Sequence, residues 1–371
     1  GRGVYVHTPF CLVRCAYCDF NAYAGMPGLR RPYIHALIDE IRAAADGGPV
    51  GTVFFGGGTP TELPPEELGR VLEAVRDSFD LSPIAEISLE ANPESAHPAT
   101  FEALLQAGFN RVSVGVQSLV PHVLEALGRA HGAGRALAAV RSARSAGFEN
   151  VNADLIFGTP GETRDDWRRS LEGVLESGVD HLSAYALTVE EGTPLAYRVK
   201  NGVARAPDED DQADKYELAE RLLADAGLVR YEISNWARPG YWCRHNVGYW
   251  TAGDYLGFGA GAHSHRAGRR GWNLKSPRTY IAASPHVEEG HEVLSPGMRA
   301  EEAAVLGLRL AGGLDREAFC RSFGSDPMDR WRDEIGGLEA NGFLEVTPLH
   351  VRLSKRGFLF ASHVARGIVG T

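Results

Sequence analysis

The chain has 371 residues, of which 44% are hydrophobic and 23% are charged, a composition that is ordinary for a globular protein and excludes a disordered tail protein. Its 38 basic and 48 acidic residues give a formal net charge of −10, which argues against a general nucleic-acid binder held by phosphate contacts. The sequence contains no apolar run of the roughly 18 residues that a membrane-spanning helix needs. At roughly 150 residues per domain, this length predicts one large and one small domain.

The first half of the chain, from Val4 to Leu187, alternates short apolar runs with longer amphipathic segments. This alternation is typical of repeated βα units around a parallel sheet. We predict six strands: Val4–His7, Thr52–Phe55, Ala85–Leu89, Arg111–Gly115, Val151–Phe157 and His181–Leu187. We predict the intervening helices over Arg31–Ala45, Pro65–Phe79, Ala99–Ala107, Gly134–Ala146 and Asp165–Ser177. Gly108, Gly147 and Gly178 each follow a helix, where glycine can adopt the left-handed conformation that ends it.

Six βα units are two short of an eight-fold barrel. We therefore predict an α/β fold with a partial (βα)6 barrel of the TIM type, whose strand ends carry the site. A doubly wound sheet is the alternative.

The regular pattern fades after Leu187. A segment rich in proline and acidic residues, Ala204–Asp214, precedes a predicted helix over Asp214–Ala226. Further helices are predicted over Arg299–Leu310, Asp315–Cys320 and Met328–Asn341, followed by a hairpin of Gly342–Thr347 and His350–Leu353. This order predicts a small C-terminal α+β domain that resembles a winged helix. Its would-be recognition helix is acidic, which argues against DNA binding. The resulting division is a barrel over 1–188, a connecting region over 189–298 and a C-terminal domain over 299–371.

Three of the five cysteines, Cys11, Cys15 and Cys18, lie within eight residues just past the first predicted strand, whereas Cys243 and Cys320 stand apart. This placement does not suit a disulfide scaffold and indicates metal chemistry in a reducing compartment, so we expect a cytoplasmic protein. Three thiolates match three irons of a [4Fe–4S] cube and leave the fourth iron open for an external ligand. A zinc site with His7 as the fourth ligand is the alternative.

Polar or glycine residues accompany the ends of the predicted strands. A run of three glycines begins at Gly56, after the second strand, and would let backbone amides approach a ligand closely. Glu90, Gln117 and Asp154 are each expected at or just past a strand end, where barrel sites are built. The guanidinium of Arg129 suits a ligand carboxylate. For each of these residues, a cap, a turn or a solvated surface position is the alternative.

The cysteine spacing, Cys-x3-Cys-x2-Cys with an aromatic residue before the last cysteine, is similar to that of the radical S-adenosylmethionine (SAM) superfamily. Within it, the chain resembles the HemN/HemW group, and the matching motifs are Tyr5-Val-His-Thr-Pro-Phe-Cys11, Gly56-Gly-Gly-Thr-Pro60, Glu90-Ala-Asn-Pro93, Ser113-Val-Gly-Val-Gln117, Leu127-Gly-Arg-Ala-His131, Asp154-Leu-Ile-Phe-Gly-Thr-Pro160 and His245-Asn-Val-Gly-Tyr-Trp250. The resemblance implies a partial (βα)6 barrel, a [4Fe–4S] cluster on the three cysteines, and SAM chelated at the open iron. It also implies a set of SAM-binding positions, with Tyr5 packing near the cluster: Gly57, Gly58, Thr59, Glu90, Gln117, Arg129, Asp154 and Thr188.

A second informative segment, Tyr241–Trp250, places His245 among large aromatic residues. Such a histidine can ligate haem iron while its neighbours stack on the porphyrin, although core packing explains similar patterns. The match of His245 to the HNxxYW signature of the HemW branch favours haem. Cys243 is an alternative axial ligand. A glycine-rich turn follows, and its histidines, at positions 263 and 265, are assigned to the barrel mouth.

The resemblance divides at Phe20, where the HemN branch of oxygen-independent coproporphyrinogen III dehydrogenases has a further cysteine. The branch without it, HemW, binds haem and is regarded as a haem-trafficking chaperone, so we expect a HemW-like protein. Class C radical SAM methyltransferases, which bind two SAM molecules, are the second hypothesis; a dehydrogenase is the third, and an electron-transfer protein is the fourth. The HemW resemblance implies SAM, haem, an apo-haemoprotein acceptor and an electron donor such as flavodoxin or ferredoxin as partners, without nucleic acid, and it is compatible with peripheral membrane association.

Overall fold

The structure is a computed structural model that describes residues 1–369. Its first part contains eight strands: β1 (Arg2–Thr8), β2 (Phe10–Cys11), β3 (Tyr23–Ala24), β4 (Pro49–Gly57), β5 (Asp80–Ala91), β6 (Arg111–Gln117), β7 (Asn150–Phe157) and β8 (His181–Ala186). Six helices accompany them: α1 (Arg30–Ala43), α2 (Pro65–Ser78), α3 (Pro98–Ala107), α4 (Pro121–Leu127), α5 (Ala133–Ala146) and α6 (Arg164–Glu176).

The strands β1, β4, β5, β6, β7 and β8 lie side by side in chain order, and every neighbouring pair is parallel. The predicted partial (βα)6 barrel is confirmed. The doubly wound alternative is wrong, because the strand order never reverses as it does in that fold.

Successive side chains of the barrel strands point to opposite faces of the sheet. One face packs against the helices and is apolar, and the other lines the polar interior of the barrel. Val112 and Val114 of β6 belong to the main hydrophobic core, whereas the buried side chains of Arg111 and Ser113 line a cavity inside the barrel. The same strand therefore supports the fold on one face and a polar site on the other.

The connecting region extends the barrel sheet at both ends. Its elements are α7 (Pro194–Lys200), α8 (Glu209–Asp225), β9 (Val229–Glu232), β10 (Asn235–Ala237), α9 (Arg244–Trp250), β11 (Tyr255–Phe258), β12 (His263–Arg266), β13 (Arg269–Asn273), α10 (Pro277–Ala283) and β14 (Glu288–Val293). Strand β11 runs parallel to β1, and β12 to β14 continue from it in antiparallel order. With β10 and β9 beyond β8, the result is one sheet of 12 strands.

The C-terminal part has its own hydrophobic core, separate from that of the barrel. It contains α11 (Pro296–Gly307), β15 (Leu314–Asp315), α12 (Arg316–Phe323), α13 (Pro327–Arg330), α14 (Arg332–Ala340), β16 (Leu344–Val346), β17 (His350–Leu353), α15 (Lys355–Leu359) and α16 (Ala361–Val369). The predicted hairpin is present as β16 and β17, and β15 adds a third antiparallel strand.

Two predicted helices are wrong in extent. The helix expected over Met328–Asn341 is divided at Trp331, whose φ of −131° is not helical and whose ring packs 5.8 Å from that of Phe319. The helix expected from Asp214 begins at Glu209, because Asp208 caps it by accepting a hydrogen bond from the Asp211 amide at 2.9 Å. Within the described residues, no helix is both long and apolar enough to cross a membrane.

Candidate functional site

A cavity of about 380 Å³ opens at the carboxyl ends of the barrel strands. It is lined by the loop that follows β1, the turn after β4 and the ends of β5 to β8. Eleven of the thirteen residues predicted from the sequence line it: Cys11, Cys15, Cys18, Gly57, Gly58, Thr59, Glu90, Gln117, Arg129, Asp154 and Thr188. We call it the cysteine cavity.

The three cysteines have free thiols and are partly exposed. They lie in residues 9–22, the segment that follows β1, which we call the cysteine loop. The Cys11 Sγ lies 3.6 Å from the Thr59 Oγ1, and the Arg129 Nη1 donates a hydrogen bond to the Cys15 Sγ at 3.1 Å. Burial raises the pKa of the Cys11 thiol to about 11 and also raises that of Cys18. Iron would have to displace these protons, because the thiolate is the form that binds metal.

The arrangement of donors distinguishes a cluster from a single ion. Within residues 1–369, no three His, Cys, Asp or Glu side chains converge as one metal ion would require. The ring of His7, the proposed fourth zinc ligand, is occupied by the Tyr5 hydroxyl and the Asn21 carbonyl, each at 3.0 Å. A [4Fe–4S] cube holds each thiolate on a different iron, so three thiols spread along one loop fit it better.

The turn after β4 requires glycine. A Cβ at Gly57, where φ is +108°, would lie 2.3 Å from the His7 ring, and a Cβ at Gly58 would lie 2.7 Å from the Phe10 carbonyl oxygen. The amides of Gly58 and Thr59 donate to the Thr8 and Phe10 carbonyls, each at 2.8 Å. The turn is therefore bonded directly to the chain that leads into the cysteine loop.

Two partly buried carboxyl groups face the interior of the site. Glu90 accepts a hydrogen bond from the Gly57 amide at 3.2 Å, and Asp154 accepts from the Ser113 hydroxyl at 2.6 Å and the Asn152 amide at 2.8 Å. Burial, with the nearby Asp154 charge, raises the pKa of Glu90 to about 8, and burial raises that of Asp154. At neutral pH Glu90 therefore keeps much of its proton and can donate a hydrogen bond to a ligand.

The expectation that all three polar residues stand at strand ends is wrong for Asp154. Glu90 and Gln117 are at the ends of β5 and β6, but Asp154 lies in the middle of β7, which continues to Phe157. Its side chain reaches the cavity because it points into the barrel. The Gln117 backbone has a φ of +64°, beside a register shift in the β6 pairing, which is a strained conformation typical of binding sites.

Arg129 sits over the cysteine loop with its side chain almost fully buried. Its Nη2 donates to the Asn92 Oδ1 at 2.9 Å and to the Gly115 carbonyl at 3.3 Å. Its Nε is buried and has no hydrogen-bond partner within the described residues. Asn92 also donates to the Thr59 Oγ1 at 2.8 Å, a role that the sequence analysis missed although the residue lies in one of the quoted motifs.

Tyr5 and His245 lie outside the cysteine cavity and line an inner cavity of about 220 Å³ beneath it. The two cavities share Glu90, Ser113, Asp154 and Tyr185. Tyr5 is linked to the cysteine loop through its hydrogen bond to His7, whose Nε2 is bonded to the Asn21 carbonyl.

His245 is 3% exposed, and both of its ring nitrogens are hydrogen bonded. The Nδ1 lies 2.9 Å from the Thr52 Oγ1 and the Nε2 lies 2.9 Å from the Tyr249 hydroxyl. Burial lowers the pKa of its imidazole to about 3, so the ring is neutral. Iron ligation by His245 would require Tyr249 to leave the Nε2. Cys243 is fully buried, and its thiol donates to Glu86 at 3.6 Å.

Comparison with known protein families matches two segments of the chain. Residues 5–174 match the model of the radical SAM superfamily, and residues 294–360 match that of the HemN C-terminal domain. Among curated proteins, the heme chaperone HemW of Mycobacterium tuberculosis H37Rv is 45% identical over 99% of this chain and 95% of that protein. The heme chaperone HemW of Bacillus subtilis is 33% identical over 100% of this chain and 99% of that protein.

Among solved structures, the coproporphyrinogen III oxidase HemN of Escherichia coli, described as a radical SAM enzyme, superposes with a TM-score of 0.85. The match covers 99% of this chain and 90% of that chain at 23% identity. At this identity, the likeness shows a shared fold and does not assign an activity.

Proposed function

The chain belongs to the radical SAM superfamily and, within it, to the HemW family, and on this basis we propose that it is a haem chaperone that binds haem and passes it to an apo-haemoprotein. The observation that carries the proposal is the convergence of eleven predicted residues, three of them cysteines, on one cavity in a chain whose whole length matches HemW proteins. The HemN likeness shows only the fold, whereas the relatives that match nearly the whole chain are HemW proteins. The dehydrogenase and methyltransferase hypotheses are therefore not favoured.

The cysteine cavity fits a [4Fe–4S] cluster and SAM. Cys11, Cys15 and Cys18 would hold the cluster; within the cavity lining, no further cysteine is present to close the fourth iron. A cluster held there would, when reduced, provide the electron for cleavage of bound SAM. Arg129 and Glu90, which both line the cavity, would orient the polar groups of SAM at this site.

Phe20 occupies the position at which the HemN branch carries a further cysteine, and it lines the same cavity. Phe20, Leu12 and Val13 are 62%, 59% and 51% exposed, which gives the cysteine loop an apolar rim. Such a rim suits a transient contact with a flavodoxin or ferredoxin that delivers an electron over a short distance. Cytoplasmic location and peripheral membrane association stay predictions.

The test is a titration of the anaerobically purified protein with haem, followed by mixing with an apo-haemoprotein. A chaperone should bind close to one equivalent of haem, shown by the Soret band, and transfer it without turning over a substrate. Absence of haem binding would overturn the proposal. So would release of carbon dioxide from coproporphyrinogen III, which indicates a dehydrogenase, or formation of S-adenosylhomocysteine, which indicates a methyltransferase.

A further inference from the structure

A cavity of about 780 Å³ lies between the extended part of the barrel sheet and the C-terminal domain, and is separate from the cysteine cavity. This volume falls within the roughly 300–1,000 Å³ of sites that hold drug-sized ligands and cofactors. The inner cavity is smaller, at about 220 Å³. The two have one residue in common, Tyr249 of the aromatic motif that begins at His245.

One wall of this cavity is a single face of strands β11 to β14. The strand registers place Tyr255 opposite His265, His265 opposite Arg270, and Arg270 opposite Glu292, so these side chains form a row across the sheet. His263 and Trp272 form the next row on the same face. The wall thus combines aromatic area with two imidazoles.

The opposite wall comes from the C-terminal part. Val305 and Leu306 of α11 and Phe323 of α12 give it an apolar surface. Arg299 of α11 is exposed at the edge and, within residues 1–369, has no carboxylate at ion-pair distance. Three glutamates, at positions 292, 301 and 302, also line the cavity, and Arg270 pairs with two of them. Arg299 is therefore the cation left to meet a carboxylate of a ligand, and the aromatic and aliphatic side chains suit a flat apolar body.

The environment of His265 is that of a metal ligand with a free nitrogen. Its side chain is 14% exposed, and its Nδ1 lies 3.7 Å from the Asp254 Oδ1. This distance is longer than a hydrogen bond, so Asp254 lies beside the ring without fixing it. No residue in the described part of the chain forms a hydrogen bond with its Nε2. His245 differs, because both of its nitrogens are already engaged.

We propose that this cavity is the haem site, with the His265 Nε2 as the ligand to iron and Arg299 as the cation for a propionate. This inference rests on the proposed function, which supplies haem as the ligand. It places Tyr249 in the wall of the site and leaves His245 to hold Tyr249 in position.

The test is a Soret titration of the cluster-containing protein with ferric haem, for the wild type and for His265→Ala. Removal of the axial ligand should weaken haem binding by more than about tenfold and shift the Soret band, and free imidazole should restore the band. His291→Ala removes a half-exposed histidine on β14 that does not line the cavity, and should titrate as the wild type does. The iron content and melting temperature of each variant show whether fold and cluster are retained.

The outcomes separate the inference from the proposed function. If the wild type binds no haem, both are overturned. If the wild type binds haem and His265→Ala titrates identically, the inference alone is overturned. A Soret band lost in His245→Ala or His263→Ala, but kept in His265→Ala, would overturn the assignment of the ligand. A loss in His265→Ala that imidazole reverses supports it, because a purely structural role would not respond to imidazole.

Discussion

Cys15 is the thiol that Arg129 contacts directly, at the centre of the cysteine loop. We predict that Cys15→Ala abolishes cluster assembly, because two thiolates cannot hold the cube that three support. Iron and sulfide analysis after anaerobic reconstitution should show iron near the background level. Cys320→Ala, which removes an exposed thiol in the C-terminal part, is the matched control and should keep the full iron content. Wild-type iron in Cys15→Ala, or zinc without iron in the native protein, would contradict the assignment.

Single residues were predictable where local chemistry identifies them. Three cysteines on one loop and a run of glycines are visible without a structure, and both lie at the cysteine cavity. The surroundings of His245 were not predictable, because its partner Thr52 is 193 positions away in the sequence. The aromatic neighbours that suggested a haem ligand include Tyr249, which instead occupies the ring nitrogen that iron would need.

At the scale of elements, the turn after β4 offers a direct test. We predict that Gly58→Ala destabilises the protein by about 1–3 kcal/mol and weakens SAM binding, because a Cβ there meets backbone atoms that cannot turn aside. Urea unfolding and SAM titration of the same variant measure the two effects. Gly134→Ala is the control: nothing lies within 4 Å of its Cβ, and it should gain about 0.5 kcal/mol of helix stability in α5. Equal stability of Gly58→Ala and the wild type would show that the turn is not tight.

Helix α1 is tied to the extended sheet by Glu40. This buried carboxylate accepts hydrogen bonds from the Gly259 amide at 2.9 Å, the Asn273 amide at 2.7 Å and the Tyr280 hydroxyl. Burial raises its pKa from 4.5 to about 7, despite these hydrogen bonds. Between these two values the folded chain binds more protons than the unfolded chain, so the free energy of unfolding falls as the pH rises through this range.

We predict that Glu40→Gln removes this part of the pH dependence, which amounts to at most about 3 kcal/mol. Urea unfolding at pH 5 and pH 8 gives the change in the free energy of unfolding between the two pH values. This change should be smaller in the variant than in the wild type. The variant also loses an acceptor, so its absolute stability should be lower at pH 5. Parallel pH profiles for the two proteins would show that Glu40 titrates normally in the folded state.

Elements were predictable where a pattern repeats and less so where pairing is long-range. The barrel strands and their helices follow from alternation, and Gly108, Gly147 and Gly178 have the positive φ values expected at helix ends. Strand β11 was missed, because four residues, Tyr-Leu-Gly-Phe, carry no pattern of their own and become a strand only by pairing with β1, about 250 positions earlier.

At the scale of the whole molecule, Arg309 links the C-terminal domain to the connecting region. Its guanidinium lies 4.2 Å from the Trp250 ring and 3.5 Å from the Glu232 carboxylate, which is fully buried. The Ala311 amide also donates to the Tyr231 carbonyl at 2.8 Å. The C-terminal domain is therefore attached beside the aromatic motif and the sheet edge at β9.

We predict that Arg309→Ala lowers the free energy of unfolding by about 2–3 kcal/mol, because it leaves the Glu232 carboxylate buried without its cation. Denaturant unfolding provides the measurement. The control is Arg321→Ala, whose exposed pair with Glu317 within α12 should contribute less than about 0.5 kcal/mol. Similar losses in the two variants would mean that the Arg309–Glu232 pair does not stabilise the attachment of the C-terminal domain.

Tyr249 lines both the inner cavity and the proposed haem cavity, and the inner cavity in turn shares four residues with the cysteine cavity. A movement of the Tyr249 ring on haem binding would therefore change the inner cavity, whose Glu90 and Asp154 also line the cysteine cavity. By thermodynamic reciprocity, the factor by which SAM changes the dissociation constant of haem must equal the factor by which haem changes that of SAM. Under the proposed function, release of haem to an acceptor would therefore reverse any change in SAM affinity that haem binding had caused.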